Sequence, residues 1–346
     1  MNPINLLFFI AGLVMVSCDK ESEDPVIDEM SAVRGYENWF INDFRCGLFV
    51  PADYDRNKKY PLIIFLHGRT DTTTWNLPWY NEPYITIDPC IVLTPKCPPE
   101  DIYGWGSSYD PRTSPMMAKA YEMISMAEKA FNLDKNRYYI YGSSMGGYGT
   151  YGAIKKNPDM FAAGYVECGN GSIDIAPILA KIPFWMFHGS DDPVVPVQPT
   201  RDLYQAVLDQ GGTQIRYTEY KDVGHNVWDY TPRETTLKTW FLAQRKGSVH
   251  GNPLPVNGFT GEMIEGKIVL QWEVPDETYP PSDFDIWYCR IYRDGNVIQE
   301  VYNNEKSYTD SSVVLNHTYT YRISAANYYF KESEKSSEIS ILVTDQ

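Results

Sequence analysis

The order of apolar segments along this 346-residue chain predicts an α/β part built on a mostly parallel sheet, followed by a small all-β sandwich. Two observations carry that expectation. Between about residues 31 and 247, short apolar runs alternate with stretches of helical period, as βαβ units do. After Gly251-Asn252-Pro253-Leu254-Pro255 the period drops to two, which is the pattern of half-buried strands. The length agrees, being too great for one ordinary domain and short for three. The boundaries read as 31–247 for the α/β part, 248–253 for a linker and 254–346 for the sandwich.

Taken in order, residues 61–66 (Pro-Leu-Ile-Ile-Phe-Leu) read as a buried strand and 91–93 as another. Residues 116–131 carry apolar side chains at helical spacing. A third strand at 138–141 runs directly into Gly142-Ser143-Ser144-Met145-Gly146-Gly147, and a fourth covers 184–187. Further strand and helix signals cover 214–220 and 234–244. In the second part, 268–272, 287–293 and 319–325 alternate as strands, the middle one ending at the turn Asp294-Gly295.

A hydrophobic content of 43% supports a real core, and a formal charge of -15 argues against nucleic acid, whose phosphates require a basic footprint. Residues 6–16 are almost wholly apolar and shorter than the ~20 residues a spanning helix needs, so 1–17 reads as a signal peptide. The small residue before Cys18 resembles a bacterial lipoprotein cleavage box, which implies lipidation of Cys18. The acidic linker 18–30, with Asp19, Glu21, Glu23 and Asp24, resembles the surface-export signals of Bacteroidetes lipoproteins. The expectation is an outer-membrane or cell-surface lipoprotein held by its lipid anchor, otherwise a periplasmic or secreted protein. The segment departs from the pattern in having no Lys or Arg before its apolar run. The other cysteines, Cys46, Cys90, Cys97, Cys168 and Cys289, lack metal-ligand spacing and read as buried thiols. Cys90 and Cys97 flank one strand at an odd offset, on opposite faces, which argues against a bridge.

The sharpest motif is Gly142-x-Ser144-x-Gly146 between a strand and a helix, the context of a nucleophile elbow. Its glycines leave room for a tight turn that lifts the serine hydroxyl, and the helix N-terminus behind it favours developing negative charge. His188-Gly189-Ser190-Asp191-Asp192-Pro193-Val194-Val195-Pro196 follows a strand end and offers two candidate acids, Asp191 and Asp192. Val223-Gly224-His225-Asn226-Val227-Trp228 then supplies a loop histidine. Ser, Asp, His is the chain order of the α/β-hydrolase fold. A serine hydroxyl is a weak nucleophile until a histidine takes its proton, and the acid fixes that histidine's tautomer. Ser144, His225 and the acid are therefore the candidate triad. The backbone N–H of Met145 is one candidate oxyanion donor. The loop after the first strand supplies the other, from Arg69 or, failing that, Thr70. His67 and His188, each before Gly at a strand end, read as structural. Among the many aromatics, Trp75, Trp79, Tyr80, Trp105, Tyr148 and Trp228 gather near the expected mouth. Trp228, Trp105 and Tyr148 are the candidate substrate contacts, suited to stacking on a sugar face or an aromatic ring.

Residues 35–247 resemble the carbohydrate esterase family one and predicted-peptidase branch of the α/β-hydrolases, which includes acetylxylan and feruloyl esterases. The matching residues are 60–68, Thr94-Pro95-Lys96-Cys97-Pro98, 142–149, 188–196 and 224–228, with Lys96 where a Gln is usual. The pattern His-Gly-x-x-Asp-x-x-Val-Pro selects Asp192 as the acid, with Asp191 left as a capping or turn residue. The resemblance implies hydrolysis of an acyl ester, or less often an amide, through an acyl-enzyme with no cofactor and no metal. The implied partner is an acylated polysaccharide or oligosaccharide. A serine peptidase of the same fold and an inactive surface glycan-binding lipoprotein are the alternatives. Residues 254–346 resemble a fibronectin type III domain, with Trp272 at the core Trp position and Tyr319, or Tyr321 if the register slips by two, as its corner tyrosine. This part reads as a spacer or docking module.

Overall fold

The computed structural model describes residues 35–41, 44–69, 88–98, 100–101, 104–275, 278–302 and 305–344. The expected signal segment, the acidic linker with Cys18, and Thr70, Trp75, Trp79 and Tyr80 lie outside the described residues.

The strand at 61–66 extends over Tyr60–Leu66 (β3), and every residue of it is buried. A strand covered on both faces reads as a continuous apolar run. Its side chains still alternate: Leu62, Ile64 and Leu66 enter one core, Ile63 and Phe65 the other. Beside it are Gly35–Ile41 (β1), Phe44–Val50 (β2), Ile91–Pro95 (β4), Leu133–Ser143 (β5), Ala163–Glu167 (β6), Phe184–Gly189 (β7) and Ile215–Tyr220 (β8). The sheet order is β1-β2-β4-β3-β5-β6-β7-β8. β1 and β2 pair antiparallel and so do β2 and β4, whereas the remaining neighbours pair parallel. From β3 the chain steps to β4 on one side and then to β5 on the other. The crevice beyond the carboxyl ends of β3 and β5 is thus a topological switch point, where ligands meet such sheets.

Among the described residues five α-helices accompany the sheet: Pro115–Ala130 (α1), Met145–Lys156 (α2), Ala176–Leu179 (α3), Gln198–Asp209 (α4) and Leu237–Ala243 (α5). Local sequence sets the start of α1: Ser114 caps it by accepting from the Met117 N–H at 3.1 Å, and Pro115 occupies its first turn. Met123 and Ala127 of α1, Ile154 of α2 and Leu203 of α4 pack on one sheet face. Cys97 joins that core and Cys90 joins the opposite one. All five described cysteines are buried and unbridged.

Among its described residues the second part has seven antiparallel strands: Asn257–Ile264 (β9), Lys267–Glu273 (β10), Ile286–Arg293 (β11), Asn296–Tyr302 (β12), Ser307–Asp310 (β13), Thr318–Asn327 (β14) and Ile339–Leu342 (β15). They form a three-stranded sheet, β13-β10-β9, and a four-stranded one, β12-β11-β14-β15. Between them lie Leu270, Trp272, Cys289, Ile291, Tyr321 and Ile323. Asp294 and Gly295 both have positive φ, as a two-residue hairpin turn demands. The Tyr319 hydroxyl accepts from the Val314 N–H at 3.1 Å, five residues upstream.

This sandwich does not hang from its linker, as a spacer would. A register shift between Ile286 and Tyr288 lets adjacent residues Trp287 and Tyr288 both leave the sandwich core and join the second face of the large sheet. Trp287 meets Trp185 edge-on at 5.4 Å and lies nearly parallel to Trp240 of α5 at 6.1 Å, while its indole N–H donates to Thr236 at 2.8 Å. Arg216 of β8 sits among Trp185, Trp287, Tyr288 and Tyr302, 4.7–5.4 Å from the ring centres, and pairs with Glu300 at 3.1 Å. One apolar core is therefore shared between the sheet and side chains of the sandwich, beside the core the sandwich keeps for itself. Trp287→Ala is expected to cost about 3–5 kcal/mol, and calorimetry of the wild type should show a single unfolding transition. Two separated transitions, only one of them moved by Trp287→Ala, would show the parts to be independent.

Candidate active site

At the end of β5 the chain reverses into α2 through Ser144, whose φ is 53° and ψ -114°. A non-glycine residue adopts this backbone only when its surroundings impose it. Here the surroundings are the glycines and the carbonyl end of β3. A Cβ on Gly146 would lie 1.7 Å from the Leu66 carbonyl oxygen, and one on Gly142 would lie 2.4 Å from the Gly146 backbone. Only glycine at both positions lets the elbow close against β3. The Ser144 N–H donates to the Glu167 carbonyl at 2.8 Å, which ties the turn to β6 as well.

β7 and β8 bring up the remaining groups. His225, on the loop after β8, has Nε2 2.8 Å from Ser144 Oγ and Nδ1 2.7 Å from Asp192 Oδ2. Asp192, on the loop after β7, also accepts the N–H groups of Val194 and Val195 at 2.8 and 2.9 Å. Burial raises the Asp192 pKa, but those N–H groups and the His225 ring outweigh burial and hold the carboxyl below its ordinary value. Its side chain is fully buried while the His225 ring stays partly open. Asp191, the other candidate acid, is exposed and accepts from its neighbour Ser190.

A cavity of about 920 Å³ opens over Ser144. Met145 and Arg69 line it beside the serine, and Met145 is the first residue of α2, so its N–H has no intrahelical acceptor. The Arg69 guanidinium donates to the Asp101 carbonyl at 3.3 Å. Tyr148 and Trp228 line the same cavity, and Trp228 stands edge-on to His225 with centroids 5.6 Å apart. Trp105, expected among the substrate contacts, is corrected by its burial: it is 1% exposed, packs against α2 at Gly149, and donates its indole N–H to the His67 carbonyl at 3.0 Å. It braces the loop after β3 from below. His67 has a similar task, with Nε2 accepting from Cys97 N–H at 2.9 Å and Nδ1 donating to the Gly68 carbonyl at 2.6 Å.

Sequence reasoning missed three groups here. Val194 and the Asp110–Arg112 ion pair line the cavity from loops that carry no periodic signal. Glu167, fully buried at the end of β6, bonds Ser143 and Thr231, joining the elbow to the segment after His225. Burial pushes its carboxyl above the ordinary range against those two hydroxyls. Among the described residues, Cys168, Asp192 and His225 are the group whose ligand atoms come close enough for a metal. Their atoms are otherwise engaged: burial pushes the Cys168 thiol far up, its S–H points at the His225 carbonyl 3.4 Å away, and His225 and Asp192 bond each other. They do not form a metal site.

No family model matches the chain. A bifunctional acetylxylan esterase/xylanase of Neocallimastix patriciarum is 25% identical over 56% of this chain and 27% of its own length. A protein named Probable feruloyl esterase C, of Aspergillus niger, is 24% identical over 62% of this chain and 80% of its own. The crystal structure of a thermostable esterase is 32% identical, with a TM-score of 0.56, over 61% of this chain and 63% of that one. The chain thus spans about a quarter of the first of these curated relatives and under two thirds of the solved esterase. With the strand order above, these likenesses give residues 35–243 an α/β-hydrolase-like fold with esterases among its relatives.

The geometry separates the two acids by experiment. Asp192→Asn should lower kcat about 10³- to 10⁴-fold through loss of the productive His225 tautomer, with the far-UV spectrum unchanged. Asp191→Asn should stay within about twofold of wild type, since this carboxylate is exposed and bonds Ser190 whereas His225 bonds Asp192. Equal losses in both variants, measured on any ester the wild type turns over, would contradict the assignment.

Proposed function

We propose that this chain is a serine carboxylic-ester hydrolase that removes acetyl or feruloyl groups from plant polysaccharide. The observation that carries the reading is the continuous contact from Asp192 through His225 to Ser144, with the serine raised on a strained turn at the switch point of the sheet. Ser144 Oγ attacks the ester carbonyl as its proton passes to His225 Nε2. Asp192 holds the imidazole and steadies the imidazolium that forms. The oxygen that becomes negative is received by the N–H groups of Met145 and Arg69. Collapse of the intermediate expels the sugar oxygen, which takes the proton from His225, and water repeats the sequence on the acyl-enzyme. This scheme uses the chain's own residues throughout.

The acyl esterases among the relatives support the substrate class. The cavity supports it too, since the aromatic side chains of Tyr148 and Trp228 line it with the nucleophile and about 920 Å³ accommodates a hydroxycinnamoyl group with part of a sugar chain. We further propose that the mature chain begins at a lipidated Cys18 and works at the outer surface of the cell. The three-plus-four strand arrangement and the Tyr319 to Val314 hydrogen bond support a fibronectin type III-like reading of residues 254–346.

The experiment compares acetyl ester, feruloyl ester and peptide-amide turnover by residues 19–346 and by their Ser144→Ala variant. The expected outcome is ester cleavage that falls about 10⁵- to 10⁶-fold in the variant, with the better acyl group naming the substrate. Cleavage of the amide alone would favour a peptidase. A Ser144→Ala variant as active as wild type would remove the serine mechanism, and no turnover of any substrate would favour a glycan-binding protein.

A further inference from the structure

Asp192 touches a second histidine. His188, near the end of β7, is completely buried, and its Nε2 lies 3.3 Å from the same Asp192 Oδ2 that binds His225. That nitrogen is also 3.0 Å from the Val195 carbonyl oxygen, and Nδ1 on the other side is 2.9 Å from Thr200 Oγ1. Which ring nitrogens carry protons follows from what each neighbour is able to accept or give.

The chain of partners decides it. Asn170, on the loop after β6, donates its amide N–H to the Pro196 carbonyl at 3.0 Å, which sets the amide's orientation and leaves Oδ1 facing Thr200. The Thr200 hydroxyl gives its single proton to that oxygen at 2.8 Å. Thr200 therefore presents only lone pairs to His188 Nδ1, so Nδ1 must carry a proton. Among the described residues Nε2 lies against two acceptors, the Val195 carbonyl and the Asp192 carboxylate, which calls for a proton there as well. Burial is the largest influence on His188 and holds its pKa below the ordinary value despite the Val195 carbonyl and the Asp192 charge, so desolvation of the ring and its hydrogen-bond pattern pull in opposite directions. A neutral ring would leave lone pairs facing each other at one of two contacts, 2.9 Å to Thr200 or 3.0 Å to the Val195 carbonyl according to the tautomer, a loss without solvent to relieve it.

We propose that His188 is held as a buried imidazolium and serves as a positioning residue for the acid, so that Asp192 is fixed by one histidine while it orients another. The further charged groups around it are His225 and Glu219. Glu219 pairs with His188 in register on β8 and is itself ion-paired to Arg201 of α4. The His188 cation offsets part of the Asp192 charge that faces His225. The network also reaches the substrate cavity, because the hydroxyl of Tyr148 shares a hydrogen bond with Asn170. The acid is thus tied through His188, Thr200 and Asn170 to a residue in the cavity wall.

The functional half of this proposal rests on Asp192 being the acid of the triad; the protonation state does not. The first measurement is ¹⁵N–¹H NMR of the wild-type chain with labelled histidine at pH 7. Two slowly exchanging N–H resonances from the His188 ring are expected, and a single one would overturn the proposal whether or not the chain proves to be an esterase. The second is the pH profile of kcat/KM for Thr200→Val and Thr200→Ser. Losing the Thr200 acceptor should neutralise His188 and move the acid limb, set by protonation of the base, toward higher pH by on the order of one unit. Serine should restore the wild-type limb. An acid limb that stays in place in a folded Thr200→Val protein, or moves equally in both variants, would refute the positioning role.

Discussion

Everything at this site depends on how closely the turn after β5 approaches the carbonyl end of β3. The Leu66 oxygen occupies the space a side chain at Gly146 would need, and Gly142 clears the space beneath it. That closeness imposes the positive φ of Ser144 and aims its hydroxyl away from the sheet toward His225. It also brings the loop after β3, with Arg69, beside the first N–H of α2. Nucleophile, base and both candidate oxyanion donors share one geometry because the connections leaving β3 and β5 turn to opposite sides at the switch point and leave a crevice there.

A different interaction holds the scaffold steady. The face of the sheet opposite α1, α2 and α4 is closed by α5 and by aromatic side chains from the sandwich, with the Arg216 guanidinium set among four rings. The cation keeps an ion pair to Glu300 and ring faces on several sides, so its burial is compensated locally. The strands that carry Asp192 and His225, β7 and β8, are the ones this seam covers. The sandwich thus supports the catalytic loops from behind while remaining outside the cavity itself.

The parts legible in the sequence are those whose physics is local. β3, β4, β7 and α1 show as apolar runs or helical spacing because burial on one or both faces dictates their residues directly. The elbow shows because glycine is required twice within five residues. β1, β2 and β6 did not show; Ala163–Glu167 is short, with small residues and a buried glutamate in place of an apolar run. β5 extends beyond 138–141 through Asp134, Lys135, Asn136 and Arg137, polar residues that conceal its first half. Trp105 illustrates the limit for the site: composition locates an aromatic near the mouth, but only the fold reveals that it faces inward. Asn170, Thr200 and His188 come from three separate elements and meet only in three dimensions, so no spacing rule joins them.

The central claim is that Ser144 alone, among many hydroxyls, is activated for attack. The most direct measurement is reaction of the folded chain with an organophosphonate ester, followed by intact mass and peptide mapping. The account predicts a single adduct, located on Ser144, whose formation is abolished in His225→Ala. An adduct on another residue, Ser143 included, or the same rate of labelling without His225, would contradict it.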